Sequence, residues 1–167
     1  MGQMKTPGVY IVEKSAFPNS VVEVATAVPA FVGYTQKADN KGSSLGDKPW
    51  RITSMAEFEN YFGYAAEPKF ELSTTAPPEG AGEPLTIAGK RYYLSLASTP
   101  YLLHHSLRLF FMNGGGSCFV VSVGSYADPL EADRLKKGVE LLIKEQEPTM
   151  VVVPEAVKLS PAECIDV

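Results

Sequence analysis

The run Asn113-Gly114-Gly115-Gly116-Ser117 is the first place to look for chemistry, because glycine-rich loops can cradle phosphate groups. A phosphate-binding loop leads from a strand into a helix, so that backbone N–H groups and the helix N-terminus converge on the anion. Here the order is inverted. An apolar helical run precedes the glycines, a strand-like run follows them, and no Gly-Lys-Ser/Thr completes the motif. Glycines in that position supply the left-handed backbone that ends a helix. A nucleotide-binding enzyme using this loop is kept as an alternative; it requires a ligand beside Gly114 to Gly116. His104-His105 is the only histidine pair, and neighbouring helical residues point about 100° apart. One ring then faces the core and the other solvent, whereas a helical metal pair needs i, i+4 spacing and a third ligand. Ser117 and Ser122 flank Cys118 without a Gly-x-Ser-x-Gly elbow. Cys118 lies in an apolar run and reads as a small buried hydrophobe. Glu145 and Glu147 belong to a charged, solvated helix end. No catalytic residue, cofactor or metal is therefore expected.

The elements that would position any site follow from the hydrophobic pattern of the 167 residues. Three extended runs come first: Thr6 to Glu13, Ser20 to Ala25, and Pro29 to Tyr34, the last apolar on both faces as a central strand must be. A polar, glycine-rich loop follows. Ser54 and Glu57 form a capping box that starts a short helix ending near Gly63. Residues 64–84, rich in Pro, Gly, Thr and Ala, read as a surface excursion, and a hairpin turns at Ala88-Gly89-Lys90. Thr99-Pro100 caps a buried helix through Asn113, with Leu103, Leu107, Phe110 and Phe111 on one side and Leu102 and Leu109 widening the stripe. The strand SCFVVSVG leads to a helix opened by Asp128-Pro129-Leu130-Glu131. That helix carries Leu135, Val139, Leu142 and Ile143 on one face, and the strand TMVVVPE follows it. Strand, helix and strand in this order make a βαβ unit with parallel strands. The expected class is α/β, a mixed sheet with a βαβ unit flanked by helices, an antiparallel hairpin insertion and an extended N-terminal β-arm.

Composition narrows the partners. A net charge of −4, with Lys and Arg scattered singly or in pairs, leaves no footprint for nucleic acid. No apolar run reaches the roughly 20 residues that span a bilayer, and the first residues lack the pattern of a secretory signal. A cytoplasmic product is expected. The two cysteines, Cys118 and Cys164, are too few for a disulfide framework. Ser160-Pro161-Ala162-Glu163 starts another helix just before the sequence stops, so the chain reads as truncated at its C-terminus.

The opening run is the one segment with a functional alternative to ordinary packing. Pro7, Gly8, Val9, Tyr10, Ile11, Val12 and Glu13 combine a turn with a strong strand former close to the N-terminus. The segment can be an edge strand of its own domain. It can also be an arm that adds a strand to a neighbouring subunit's sheet, with backbone hydrogen bonds for connection and alternate side chains for register.

Five blocks in order resemble the tail sheath family of contractile phages and related injection systems: TPGVYIVE, TAVPAFVGYT, RITSMAEFENYFG, LRLFFMNGGGSCFVVSVGSY and VVVPE. The third is similar to a family pattern carried here by Pro49, Ile52-Thr53-Ser54, Glu57-Phe58-Glu59 and Phe62-Gly63. The resemblance implies a structural subunit that polymerises with itself as stacked hexameric rings around an inner tube protein, capped by baseplate and cap proteins. Such a sheath contracts to drive the tube into a target. It is assembled in the bacterial cytoplasm and becomes part of a virion tail or a released injection particle. By matching, Val9 to Val12 fall in an exchanging arm, residues 1–19. Phe31, Val32, Gly33, Phe58, Phe62, Phe110, Phe111 and the 114–116 glycines fall in the core of a sheath domain over 20–167, with an insertion at about 64–98. The alternative outside this family is a monomeric α/β binding module whose first strand completes its own sheet.

Overall fold

A computed structural model describes residues 27–75, 83–97 and 101–167. Strand β1 (Pro29–Thr35) is wholly buried and lies at the centre. The polar loop after it folds into a miniature hairpin, β2 (Asp39–Asn40) with β3 (Ser43–Ser44), around Lys41 and Gly42, both with positive φ. Strand β4 (Trp50–Ile52) leads into helix α1 (Met55–Phe62). A small sheet follows from β5 (Lys69–Ser73), β6 (Leu85–Ile87) and β7 (Lys90–Ala97). Helix α2 (Leu103–Met112), strand β8 (Cys118–Ser125) and helix α3 (Ala132–Leu141) come next, the last passing into a 3-10 turn at Leu142–Lys144. Strand β9 (Met150–Val152), a 3-10 turn at Pro154–Lys158 and helix α4 (Pro161–Asp166) complete the order.

The main sheet runs β4-β8-β1-β9, with β8 and β9 parallel to β1 and β4 antiparallel to β8. This is the α/β mixed sheet expected. The β8-α3-β9 unit exists, but its two strands are not neighbours, because β1 is inserted between them. Alternation divides the core into two layers. Val28, Ala30, Val32, Tyr34, Phe119, Val121 and Val123 meet Leu135 and Leu142 on the α3 side. Phe31, Cys118 and Val120 meet Ile52, Phe58, Phe62, Leu103 and Leu107 on the α1/α2 side. Covering both faces is why β1 and β8 read as continuous apolar runs.

Several expectations are corrected. Only half of the first capping box forms: Ser54 Oγ accepts the Glu57 N–H at 3.3 Å, but the Glu57 carboxylate turns to the Thr53 N–H at 2.6 Å. The second box, at Ser160 and Glu163, is complete. Helix α3 begins at Ala132, because Asp128 is occupied closing a turn onto the Ser125 N–H at 2.8 Å. Helix α2 buries one narrow stripe and leaves Leu109 65% exposed. Ile143 is also turned outward, since the 3-10 turn changes the angle per residue just before it. Gly114 and Gly116 are exposed loop residues, not core, while Phe110 and Phe111 are half-buried. The excursion at 64–84 contains β5, which the composition concealed. The helix signal at Thr99-Pro100 and the run at 20–25 lie outside the described residues.

Gly138 sets the depth at which α3 packs. A Cβ there would stand 2.5 Å from the Cγ1 atoms of both Val32 and Val123. The helix backbone rests directly on the two central strands, a contact that only glycine permits.

Candidate functional site

The TMVVVPE run delivers the least expected side chain in the molecule. Pro154 ends β9 and opens the 3-10 turn, and the next residue, Glu155, is turned inward with 0% exposure. Its Oε1 accepts the N–H groups of Leu102 and Leu103 at 3.1 and 2.9 Å. These are first-turn donors of α2 with no intrahelical partner, and α2 has no side-chain cap of its own. Glu155 therefore caps a helix more than fifty residues earlier in the chain and ties it to the end of β9. Gly33 makes room for it, because a Cβ at that position would lie 2.4 Å from Oε2. Oε2 has no hydrogen-bond partner among the described residues. Burial pushes the Glu155 carboxyl above the usual carboxylate range, opposed by the backbone N–H groups. The sequence offers a faint signal for this role: a lone acid closing an apolar run directly after a proline.

Beside this node lies the outer edge of the sheet. The Thr149 N–H bonds to the Val28 carbonyl at 2.9 Å. In the parallel register Met150 stands opposite Pro29, which has no N–H to give, so the pairing uses both backbone groups of Met150; Met150 and Val152 face β1, and Val151 between them turns its N–H and C=O outward. Among the described residues nothing pairs with that side. The edge is flanked by a shallow groove of about 450 Å³ between β9 and the C-terminal half of α2, lined by Phe31, Leu109, Phe110, Gly115 and Val152. Met150, on the same face of β9 as Val152, and Met112, at the end of α2, are exposed.

Other residues singled out by type are placed as follows. The arm residues Pro7, Gly8, Val9, Tyr10, Ile11, Val12 and Glu13 lie outside the described residues. The 113–117 loop runs from α2 into β8. Gly114 adopts φ +82 and a Cβ on Gly115 would strike the Phe110 ring at 2.5 Å, so both glycines serve the helix end. His104 is buried against Phe58 while His105 is exposed, as their spacing requires. Burial lowers the His104 pKa, aided by His105 and opposed by Glu59 at 4.0 Å. Cys118 is fully buried, and desolvation pushes its thiol up to about 12. Ser117 receives a hydrogen bond from Arg51, and Ser122 pairs with Thr35 at 2.6 Å. Glu147 makes an exposed ion pair with Arg51, and Glu145 is exposed. No cluster of potential metal ligands occurs among the described residues, and no described helix is long and apolar enough to cross a membrane.

Fold and site define an α/β domain with a mixed sheet, open along β9 beside an apolar groove. No protein-family model matches the chain, and no curated protein sequence matches it significantly.

Proposed function

We propose that the chain is the N-terminal part of a sheath subunit of a contractile tail or injection system, and that it works by assembly rather than by catalysis. Four of the five blocks that carry the resemblance fall on packed elements of one sheet: β1, β4 with α1, α2 with β8, and β9 with its buried glutamate. The observation that carries the reading is the open β9 edge. Its outward backbone groups at Val151, next to the groove at Phe31 and Phe110, suit an extended apolar segment added as a further strand. The segment Pro7 to Glu13 of another copy has that character. Partners are then further copies of the subunit, the inner tube and the baseplate and cap proteins.

Mechanical work in such a polymer needs no catalytic group. The extended lattice is metastable, the contracted one buries more surface, and the domain moves as a rigid body with its arm as the hinge. The energy is stored at assembly, so neither nucleotide binding nor hydrolysis is required.

Two changes to the full-length product test this. Removing residues 1–15 leaves the domain folded and abolishes striated tubes in negative-stain microscopy. Val151→Pro deletes an outward N–H on an edge strand, where proline is tolerated, and has the same effect. Long sheaths formed by either variant refute the arm role. Marked destabilisation on removing the arm favours the monomeric binding module instead.

A further inference from the structure

The insertion sheet β5-β7-β6 is amphipathic, and among the described residues nothing packs on its apolar face. Register places Leu72 opposite Leu94, Leu85 opposite Tyr92, and Ile87 opposite Lys90. Opposed residues share a face, as do residues two apart along a strand. Phe70, Leu72, Leu85, Ile87, Tyr92 and Leu94 therefore form one apolar surface. Lys69, Glu71, Ser73, Thr86, Arg91, Tyr93 and Ser95 occupy the other. Both faces are open, so the apolar side chains are exposed along with the polar ones: Phe70 59%, Leu72 56%, Ile87 51%, Leu85 48% and Leu94 47%. No described element packs over them.

A three-stranded sheet becomes independently stable by burying its hydrophobic face. We propose that this face packs against the same face of a second copy of the chain, forming a two-fold dimer. Size and charge both favour that occupant. The five side chains expose on the order of 500 Å² of apolar surface, at the upper end of what a monomer tolerates. Two such faces bury on the order of 1,000 Å² in total, the threshold of a specific interface. The surface is uniformly apolar apart from Lys90 at its end, so an identical surface is complementary to it without burying an unpaired charge at the centre. Scattered single strands or charged peptides would leave most of it wet. A two-fold contact closes on itself, so this dimer is separate from polymerisation through the arm and stands or falls independently of the sheath reading.

Sedimentation equilibrium of the chain through the micromolar range tests it, with Leu94→Glu on the central strand, Thr86→Glu on the polar face, and a form lacking residues 1–15. Without residues 1–15, so that polymerisation through the arm is removed, the chain and its Thr86→Glu variant sediment as dimers. There Leu94→Glu weakens association at least tenfold and halves the observed mass, with an unchanged circular dichroism spectrum. Should Leu94→Glu fail to fold, the milder Leu94→Ser reads the same equilibrium. A wild type monomeric throughout, a Leu94 variant with undiminished mass, or a dimer lost with the arm overturns the proposal.

Discussion

Replacing Glu155 isolates the contact that joins α2 to β9. In Glu155→Ala, the Leu102 and Leu103 N–H groups lose their acceptor at the buried start of a helix. Losing an N-cap costs about 1 kcal/mol, and leaving a buried donor unpaired costs about 1–3 kcal/mol. The vacated carboxymethyl volume adds a cavity cost near 24 cal/mol per Å³. Relief of the desolvated carboxylate offsets part of this, and a net loss of about 3 kcal/mol is expected from these contributions together. In a domain of this length that lowers Tm by roughly 6–12 °C. Glu155→Gln keeps a carbonyl oxygen for the same two donors and carries no charge, so it costs about 1 kcal/mol or less in acid. The pH dependence separates charge from capping. Because burial raises the folded-state pKa of Glu155, the folded state holds its proton after the unfolded chain has released it. This contribution is complete below the unfolded carboxyl pKa of about 4.3 and is lost as pH rises through the raised value. Glu155→Gln therefore gains on the wild type as pH rises from acid to neutral. Urea unfolding followed by circular dichroism and by the fluorescence of Trp50, the single tryptophan, measures all three proteins. A Glu155→Ala loss below about 1 kcal/mol, or equal losses for Ala and Gln at every pH, refutes the capping role.

Gly138→Ala gains helix propensity of about 1 kcal/mol, yet it destabilises by about 1–3 kcal/mol because its methyl meets Val32 and Val123; a stabilised variant in urea melts would show the contact to be loose. His104 has a folded-state pKa below its ordinary value, so stability falls as pH drops below about 6.5, where the unfolded chain takes up the proton first. His104→Leu removes that slope, and identical pH profiles for the two proteins would contradict the assignment. A thiol reagent labels exposed Cys164 quickly and buried Cys118 only on unfolding; two fast-reacting thiols in the native protein would mean that the α1/α2 layer opens readily.

The central strands were legible because they are covered on both faces, which leaves an apolar run no polar alternation can imitate. Helix α1 was legible from Ser54 and Gly63, and α3 from Leu135 and Val139 at helical spacing. Strand β4 was not. Trp50–Ile52 is too short to have a period, and its strand character comes from pairing with β8. Strand β5 was hidden in the same way, since Phe70 and Leu72 acquire meaning only when Leu94 and Tyr92 are set beside them. The arm Pro7 to Glu13 is the part of the proposed assembly site that the sequence suggests. The β9 edge that would receive it could not be found there, because being an edge depends on which strand the sheet places last.

What residue order settled is local: which stretches are helices or strands, that the chemistry of the 113–117 loop belongs to a helix end, and that the class is α/β. Tertiary structure decided the rest. It inserted β1 between β8 and β9, turned Glu155 inward onto a helix fifty residues away, left β9 without a further strand among the described residues, and put Phe70, Leu72, Leu85, Ile87 and Leu94 of the insertion sheet on one exposed face. The reason is physical. Propensity and capping act within a turn or two of chain, whereas register, edges and the burial of a charge depend on which distant backbone groups and side chains arrive beside one another.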